Sequence, residues 1–159
     1  LDGLSPKENR EVPPLKYDYV YRLKQDFPEL EIIINGGITA NEQISEHLKR
    51  VDGVMVGREA YHNPMIMRDW DRLFYGESSP PVEYADLVRK LYEYSRAQIQ
   101  AGRGTILRHI VRHSLGLMYG LKNARTWRRM LSDAALLKDN DGSLILDAWR
   151  EVEKANIWE

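Results

Sequence analysis

Residues 31–38 read EIIINGGI, and this stretch decides the fold. Its isoleucines predict a short buried strand, and the asparagine and two glycines after them predict that the strand ends in a tight loop. Residues 51–58 read VDGVMVGR and repeat the arrangement, with an apolar strand followed by a glycine and an arginine. A helix predicted over residues 41–49 separates the two strands. Continuous apolar strands that alternate with helices indicate a parallel sheet buried on both faces.

A sheet of this kind needs more strands than these residues supply. Two parallel strands leave both edges and much of both faces uncovered. We therefore predict that residues 1–79 form the last part of a larger α/β domain. Within them we expect a loop over residues 1–14 and a helix over residues 18–27. The proline-rich stretch at residues 76–81 marks the boundary.

Residues 80–159 have helical periodicity throughout. We predict a first helix that ends at Gly102, and three more over residues 106–121, 124–137 and 144–157. Four helices joined by short turns indicate a small four-helix bundle. The predicted fold class is therefore α/β plus all-α.

The composition describes a globular protein, because 43% of the 159 residues are hydrophobic and the formal net charge is −1. No apolar run approaches the roughly 18 residues that a membrane span requires, and no leader follows Leu1. The absence of cysteine removes disulfides, thiolate zinc sites and a cysteine nucleophile, and suits a reducing cytoplasm. His109 and His113 lie four residues apart but have no evident third ligand, so we predict no metal site.

The glycines that follow both strands predict an anion site. Glycine permits positive φ and lets backbone N–H groups approach an anion closely. In a (β/α)8 barrel the loops after the last two strands commonly form a phosphate site together with a short extra helix. Here that helix would begin at Arg58, whose guanidinium could contact phosphate oxygens, and would end before Pro64. The alternative interpretation is that the glycines are only turn residues.

The charge is distributed unevenly along the chain. No Asp or Glu occurs between Ser95 and Ser132, whereas eight Lys and Arg do, and the remainder carries −9. This imbalance predicts a site for a polyanion. Arg125 and Arg128 lie on one face of a predicted helix that also carries Trp127, a combination that suits a nucleic-acid backbone and stacked bases. The alternative is an ordinary solvated helix face.

Several of these stretches resemble the tRNA-dihydrouridine synthases, most closely the A-type bacterial subfamily. They are residues 4–10 (LSPKENR), 12–15 (VPPL), 34–38 (INGGI), 52–61 (DGVMVGREAY), 108–109 (RH) and 124–129 (ARTWRR). The resemblance implies an FMN-binding (β/α)8 TIM barrel, of which residues 1–79 would be the C-terminal portion with the last two strands, followed by a helical tRNA-binding domain, residues 80–159. It also implies NADPH-driven reduction of the uridine C5=C6 bond to dihydrouridine, at positions 20/20a of the tRNA D-loop. No membrane or protein partner is implied.

The resemblance assigns functions to two groups of residues. The FMN phosphate and ribityl groups would contact residues after the last two strands, namely Asn35, Gly36, Gly37, Gly57 and Arg58. The tRNA would contact four basic residues, two in the loop after the sixth strand and two in the helical domain, namely Lys7, Arg10, Arg125 and Arg128.

The family's general acid is a cysteine in the middle of the barrel, and this chain contains none. We therefore expect the chain to be the C-terminal half of such an enzyme, assign it no catalytic residue, and expect it to have no reductase activity alone. Two other classes fit part of the pattern. A dihydroorotate-dehydrogenase-like FMN barrel would act on a small molecule, and a tRNA gel shift would distinguish it. A non-catalytic RNA-binding module would retain no flavin through gel filtration.

Overall fold

The computed structural model describes residues 3, 5–11 and 14–156. They belong to two compact units, and the chain passes from the first to the second between Gly57 and Arg58. No helix in these described ranges is long and apolar enough to cross a membrane.

The first unit consists of short helices and two strands. Its elements are α1 (Glu8–Glu11), α2 (Tyr17–Asp26), β1 (Ile33–Asn35), α3 (Asn41–Leu48) and β2 (Gly53–Met55). The turn of helix α1 lies inside the stretch that the sequence predicts as a loop. It forms because the Glu8 N–H donates to the Ser5 hydroxyl at 3.3 Å and the Ser5 N–H donates to the Glu8 carboxylate at 2.9 Å. This reciprocal pairing is a capping box, which starts a helix in spite of the neighbouring prolines.

The two strands pair in parallel, as the sequence predicts. The register sets Ile33 opposite Gly53, Ile34 opposite Val54 and Asn35 opposite Met55. Both strands are shorter than predicted, and one face of β1 is packed while the other is open. Ile34 is 1% exposed, whereas Ile33 on the opposite face is 58% exposed. An apolar strand with one open face is consistent with the expectation of a larger sheet.

An ion pair fixes the start of the two strands. The Asp52 carboxylate accepts the Ile32 N–H at 2.9 Å and pairs with the Lys24 ammonium at 2.7 Å. Lys24 also donates to the Leu30 carbonyl at 2.8 Å, so α2, the turn before β1 and the start of β2 are tied together. The Ile32 N–H, followed by the Lys24 charge, holds the pKa of Asp52 below its usual value.

The second unit is helical. Its elements are α4 (Arg58–His62), a 3-10 helix (Pro64–Asp69), α5 (Trp70–Tyr75), α6 (Tyr84–Gln100), α7 (Leu107–Val111), α8 (Ala124–Met130) and α9 (Ser143–Glu153). The short helix predicted to begin at Arg58 is present as α4. The boundary predicted between residues 79 and 80 falls in the coil between α5 and α6, inside this unit, and stays a prediction for the whole protein.

The predicted helix over residues 106–121 is wrong beyond Val111. The following residues form successive turns, and the Ser114 carbonyl accepts both the Leu117 N–H of such a turn and the indole N–H of Trp127, each at 3.0 Å. Gly116 packs so closely on the end of α4 that a Cβ atom there would collide with the His62 carbonyl oxygen. These long-range contacts hold the backbone outside the helical conformation.

The predicted helix over residues 124–137 also ends early, at Met130. The Asp133 carboxylate accepts the N–H groups of Ala135 and Leu136 at 2.8 and 3.3 Å. An aspartate that bonds the backbone in this way stabilises a turn in competition with a helix. The last helix, α9, ends at Glu153, and Ile157, where the sequence predicts its end, lies outside the described residues.

One apolar core joins the longer helices. Val88 of α6, Trp127 of α8, and Ile145 and Val152 of α9 are almost completely buried in it. The Tyr84 ring stacks on Trp149 with 6.1 Å between the ring centroids. Helical content and a shared core are therefore as predicted. Because α7 and α8 have only five and seven residues, the four-helix bundle itself stays a prediction.

Candidate functional site

The strand register brings the candidate residues of the first unit to one edge of the sheet. Asn35 and Met55 are paired, so the loop that follows β1 and the chain that follows β2 leave the sheet side by side. Neighbouring strands lie about 4.8 Å apart. Gly36 and Gly37 follow β1 directly, and Gly57 lies two residues beyond β2.

The loop after β1 requires its two glycines. Gly36 has φ 119° and Gly37 has φ 66°, values that L side chains rarely adopt. A Cβ atom on Gly37 would also lie 2.6 Å from Cδ1 of Leu15. The Gly36 N–H is the donor that the parallel pairing of Asn35 with Met55 requires, whereas the Gly37 N–H donates to no acceptor within the described ranges. This backbone is therefore able to donate hydrogen bonds to an anion.

A tyrosine that the sequence did not single out holds this loop. The Tyr17 hydroxyl donates to the Gly36 carbonyl at 2.5 Å, and the Tyr17 ring meets His47 edge-on at 4.6 Å between centroids. The Tyr21 hydroxyl hydrogen-bonds with Nδ1 of His47 at 2.7 Å. Tyr17 and Tyr21 lie four residues apart on α2, so the sequence alone indicates that they share one face of the helix. Nothing in the sequence indicates that their partners lie 19 and 26 residues away.

His47 makes this cluster sensitive to pH. Burial, followed by the positive charge of Arg50, lowers the pKa of His47 below its usual value. In the unfolded chain the imidazole binds a proton near pH 6.5, while in the folded state it remains neutral to a lower pH. The stabilisation is therefore complete above about pH 6.5 and is lost as the pH falls below that value, until the folded pKa is reached.

We expect the unfolding midpoint of the full-length protein in urea to decrease between pH 7.5 and pH 5.5, and to decrease less in a His47→Gln variant. The reason is that the variant has no imidazole to protonate on unfolding. Equal pH dependence in the two proteins would contradict the assignment of this effect to His47.

Gly57 differs from the glycines of the first loop. It is exposed, its φ is not positive, and a Cβ atom would lie 3.6 Å from the Met55 sulfur, an ordinary van der Waals distance. Nothing in the described residues therefore requires glycine at this position. Arg58, the next residue, is exposed and begins α4 in the second unit. Its contact with a phosphate stays a prediction.

The Lys and Arg residues of the basic segment, residues 95–132, are all exposed. None of its eight Lys and Arg side chains forms an ion pair with a carboxylate among the residues that the structure describes. They are Arg96, Arg103, Arg108, Arg112, Lys122, Arg125, Arg128 and Arg129. Arg125 and Arg128 project from α8. Trp127 between them is 0% exposed, so its indole is a core residue and does not supply the stacking surface that would accompany these arginines. Its ring fills the core instead.

The other two predicted tRNA contacts lie near the start of the chain, and His113 of the predicted histidine pair lies beyond the end of α7. Lys7 is exposed in the turn before α1, and Arg10 belongs to α1, but its side chain lies outside the described residues. Nδ1 of His113 hydrogen-bonds with the Tyr61 hydroxyl at 3.0 Å. Over the described ranges no group of three or more His, Asp or Glu is placed to hold a metal ion.

Comparison with known proteins gives consistent similarities. A family model described as dihydrouridine synthase (Dus) matches residues 2–153. Three proteins named tRNA-dihydrouridine(20/20a) synthase are similar. The one from Shigella flexneri is 52% identical over 135 residues, which is 85% of this chain and 39% of the relative. The one from Salmonella typhi is 48% identical over 148 residues (93% and 44%), and the one from Haemophilus ducreyi is 50% identical over 135 residues (85% and 41%). The chain thus spans about two fifths of the length of the relatives it matches.

Proposed function

Because the chain belongs to the dihydrouridine synthase family, we propose that it is the part of an A-type tRNA-dihydrouridine synthase that holds the FMN phosphate and contacts tRNA. The complete enzyme would be a TIM barrel with a helical domain in the cytoplasm. It would use NADPH to reduce uridine at positions 20/20a of the D-loop to dihydrouridine.

The cofactor part of the proposal is supported by the two strand ends. The unpaired N–H group of Gly37, together with the exposed Gly57, suits a phosphate dianion, and Asn35 is exposed at the same edge. Arg58 would add its charge to this site. When bound and reduced by NADPH, FMN would supply the hydride for the C5=C6 bond. The residues of this chain bind and orient the cofactor. None of them is proposed as the donor that protonates the uracil ring, since the chain has no cysteine.

The tRNA part is supported by the exposed basic segment. Ordinary protein surfaces interleave charges of both signs, whereas these eight cations have no carboxylate within the segment. A uridine inside folded tRNA must be extruded before it can react, at a cost of a few kcal/mol. Phosphate contacts from Arg125 and Arg128, and from Lys7 and Arg10, would offset this cost.

The single observation that carries the proposal is the family match over nearly the whole chain, and its test is the salt dependence of tRNA binding. In the full-length protein, Arg125→Ala should lower the slope of log K against log salt by about 0.7–0.9, because one phosphate contact is lost. Flavin affinity should be unchanged. Titrations with unmodified tRNA at several salt concentrations measure the slope.

A matched control is Arg150→Ala, because the Arg150 guanidinium is paired with Asp147 at 2.6 Å on α9. Its removal should leave the slope unchanged. If Arg125→Ala and Arg150→Ala behave alike, Arg125 does not contact tRNA. Absence of bound flavin from the full-length protein would contradict the cofactor part.

A further inference from the structure

A groove with one basic wall separates α7 from the turn that follows α8. Its volume is about 540 Å³, within the usual range of ligand pockets. Arg108, His109 and Arg112 line the basic wall and Ser132 lines the other. Leucine side chains form the floor, among them Leu131 and Leu137.

The basic wall is suited to a phosphate. Arg108 and Arg112 lie four residues apart, so their side chains leave the helix on the same face and repel each other. Neither forms an ion pair with a described residue, and no carboxylate lines the groove. An anion placed between the two guanidinium groups would relieve this repulsion and accept hydrogen bonds from both.

The rest of the groove is suited to the remainder of a nucleotide. The Ser132 hydroxyl donates to the Arg128 carbonyl at 2.6 Å, so its lone pairs remain able to accept a hydrogen bond from a ribose or base. Leu131 and Leu137 of the floor are 2% and 8% exposed, so the partly exposed Leu115 offers the apolar contact for a flat ring. Because Trp127 is buried, its indole cannot serve as this ring-binding surface.

We propose that this groove binds one unstacked nucleotide of the tRNA, with its phosphate between Arg108 and Arg112 and its base or ribose against the leucine floor. This inference rests on the proposed function and extends it. It names a binding site distinct from Arg125, and it requires a local single-stranded conformation of the RNA, which is the form that proteins read most readily.

The test uses two kinds of variant of the full-length protein with unmodified tRNA as the probe. Arg108→Gln combined with Arg112→Gln removes the phosphate contacts, so the salt slope should fall by about 0.7–1.8, the loss of one or two contacts. Ser132→Phe fills the groove without changing charge, so affinity should fall fivefold or more, as expected for a lost base contact, at an unchanged slope. Arg89→Gln is the control, because Arg89 already pairs with Asp86 and Glu93 at 3.2 Å.

The outcomes separate this inference from the proposed function. If the two groove variants bind tRNA like the wild type while Arg125→Ala lowers the slope, the groove proposal is wrong and the proposed function stands. If all of these variants bind like the wild type, both fail. If tRNA affinity falls in the double arginine variant but not in Ser132→Phe, the effect is one of charge alone and the proposed nucleotide site is overturned. Unfolding midpoints of each variant identify any that is misfolded, and for these Ser132→Gln replaces Ser132→Phe.

Discussion

Replacing Trp127 with alanine is expected to lower the free energy of unfolding by about 3–5 kcal/mol, the usual cost of truncating a buried aromatic side chain. The indole is 0% exposed in the core of the second unit, and its N–H donates to the Ser114 carbonyl at 3.0 Å. Alanine would leave a cavity and would also remove the bond that holds the turn after α7. Urea unfolding followed by circular dichroism measures the change.

The neighbouring Arg128 provides the control, because it is exposed on the same helix. Arg128→Ala should change the free energy of unfolding by no more than about 0.5 kcal/mol. A Trp127→Phe variant should retain tRNA affinity, since the buried ring contacts no RNA. A large loss of stability in Arg128→Ala, or none in Trp127→Ala, would contradict the packing described for α8.

Substitutions at the two strand ends should separate a requirement of the fold from a requirement of the cofactor. Gly36→Ala should cost about 1–3 kcal/mol of stability, because φ 119° is a strained conformation for alanine. Gly57→Ala should leave stability unchanged, since its backbone is unstrained and the added Cβ has room. If a phosphate lies against Gly57, the same methyl group should weaken FMN binding about tenfold or more, through the loss of a charge-assisted hydrogen bond.

The measurement is FMN fluorescence quenching by each full-length variant, beside its unfolding midpoint. Gly53→Ala serves as a second comparison, because Gly53 lies at the opposite end of β2, where a Cβ atom would approach Ile33 at 3.2 Å. It should affect stability more than flavin affinity. Should Gly57→Ala bind FMN like the wild type, Gly57 makes no phosphate contact.

Local signals in the sequence were sufficient to predict the two strands of the first unit and the helix between them. The β-branched run before Asn35 and the apolar run before Gly57 predicted two strands, and the register confirms their parallel pairing. The cluster of Tyr17, Tyr21 and His47 that holds the loop after β1 was not predicted. The hydrogen bonds of Tyr17 with Gly36 and of Tyr21 with His47 join residues that are distant in the sequence. Periodicity identifies which residues share a helix face, but it does not identify the partner of that face.

The second unit shows where periodicity misleads. Residues 106–121 and 124–137 carry apolar residues at helical spacing, yet both helices end early. In the first the decisive contacts are with Trp127 and His62, which are distant in sequence. In the second a single aspartate, Asp133, offers the backbone a local alternative. The exposed arginines were predictable from charge, whereas the burial of the tryptophan among them depends on the core that α6, α8 and α9 share.

Because Gly116 has no side chain, α4 can pack directly against the backbone at this residue. The backbone at Gly116 contacts the backbone at His62, the last residue of α4. The short helix that starts at Arg58 therefore packs directly on the part of the second unit that also contains the basic segment. A bulkier residue there would push α4 outward and carry the first turn, with its arginine, away from its native place. The identity of residue 116 therefore determines the position of a helix whose first residue lies 58 positions earlier in the sequence.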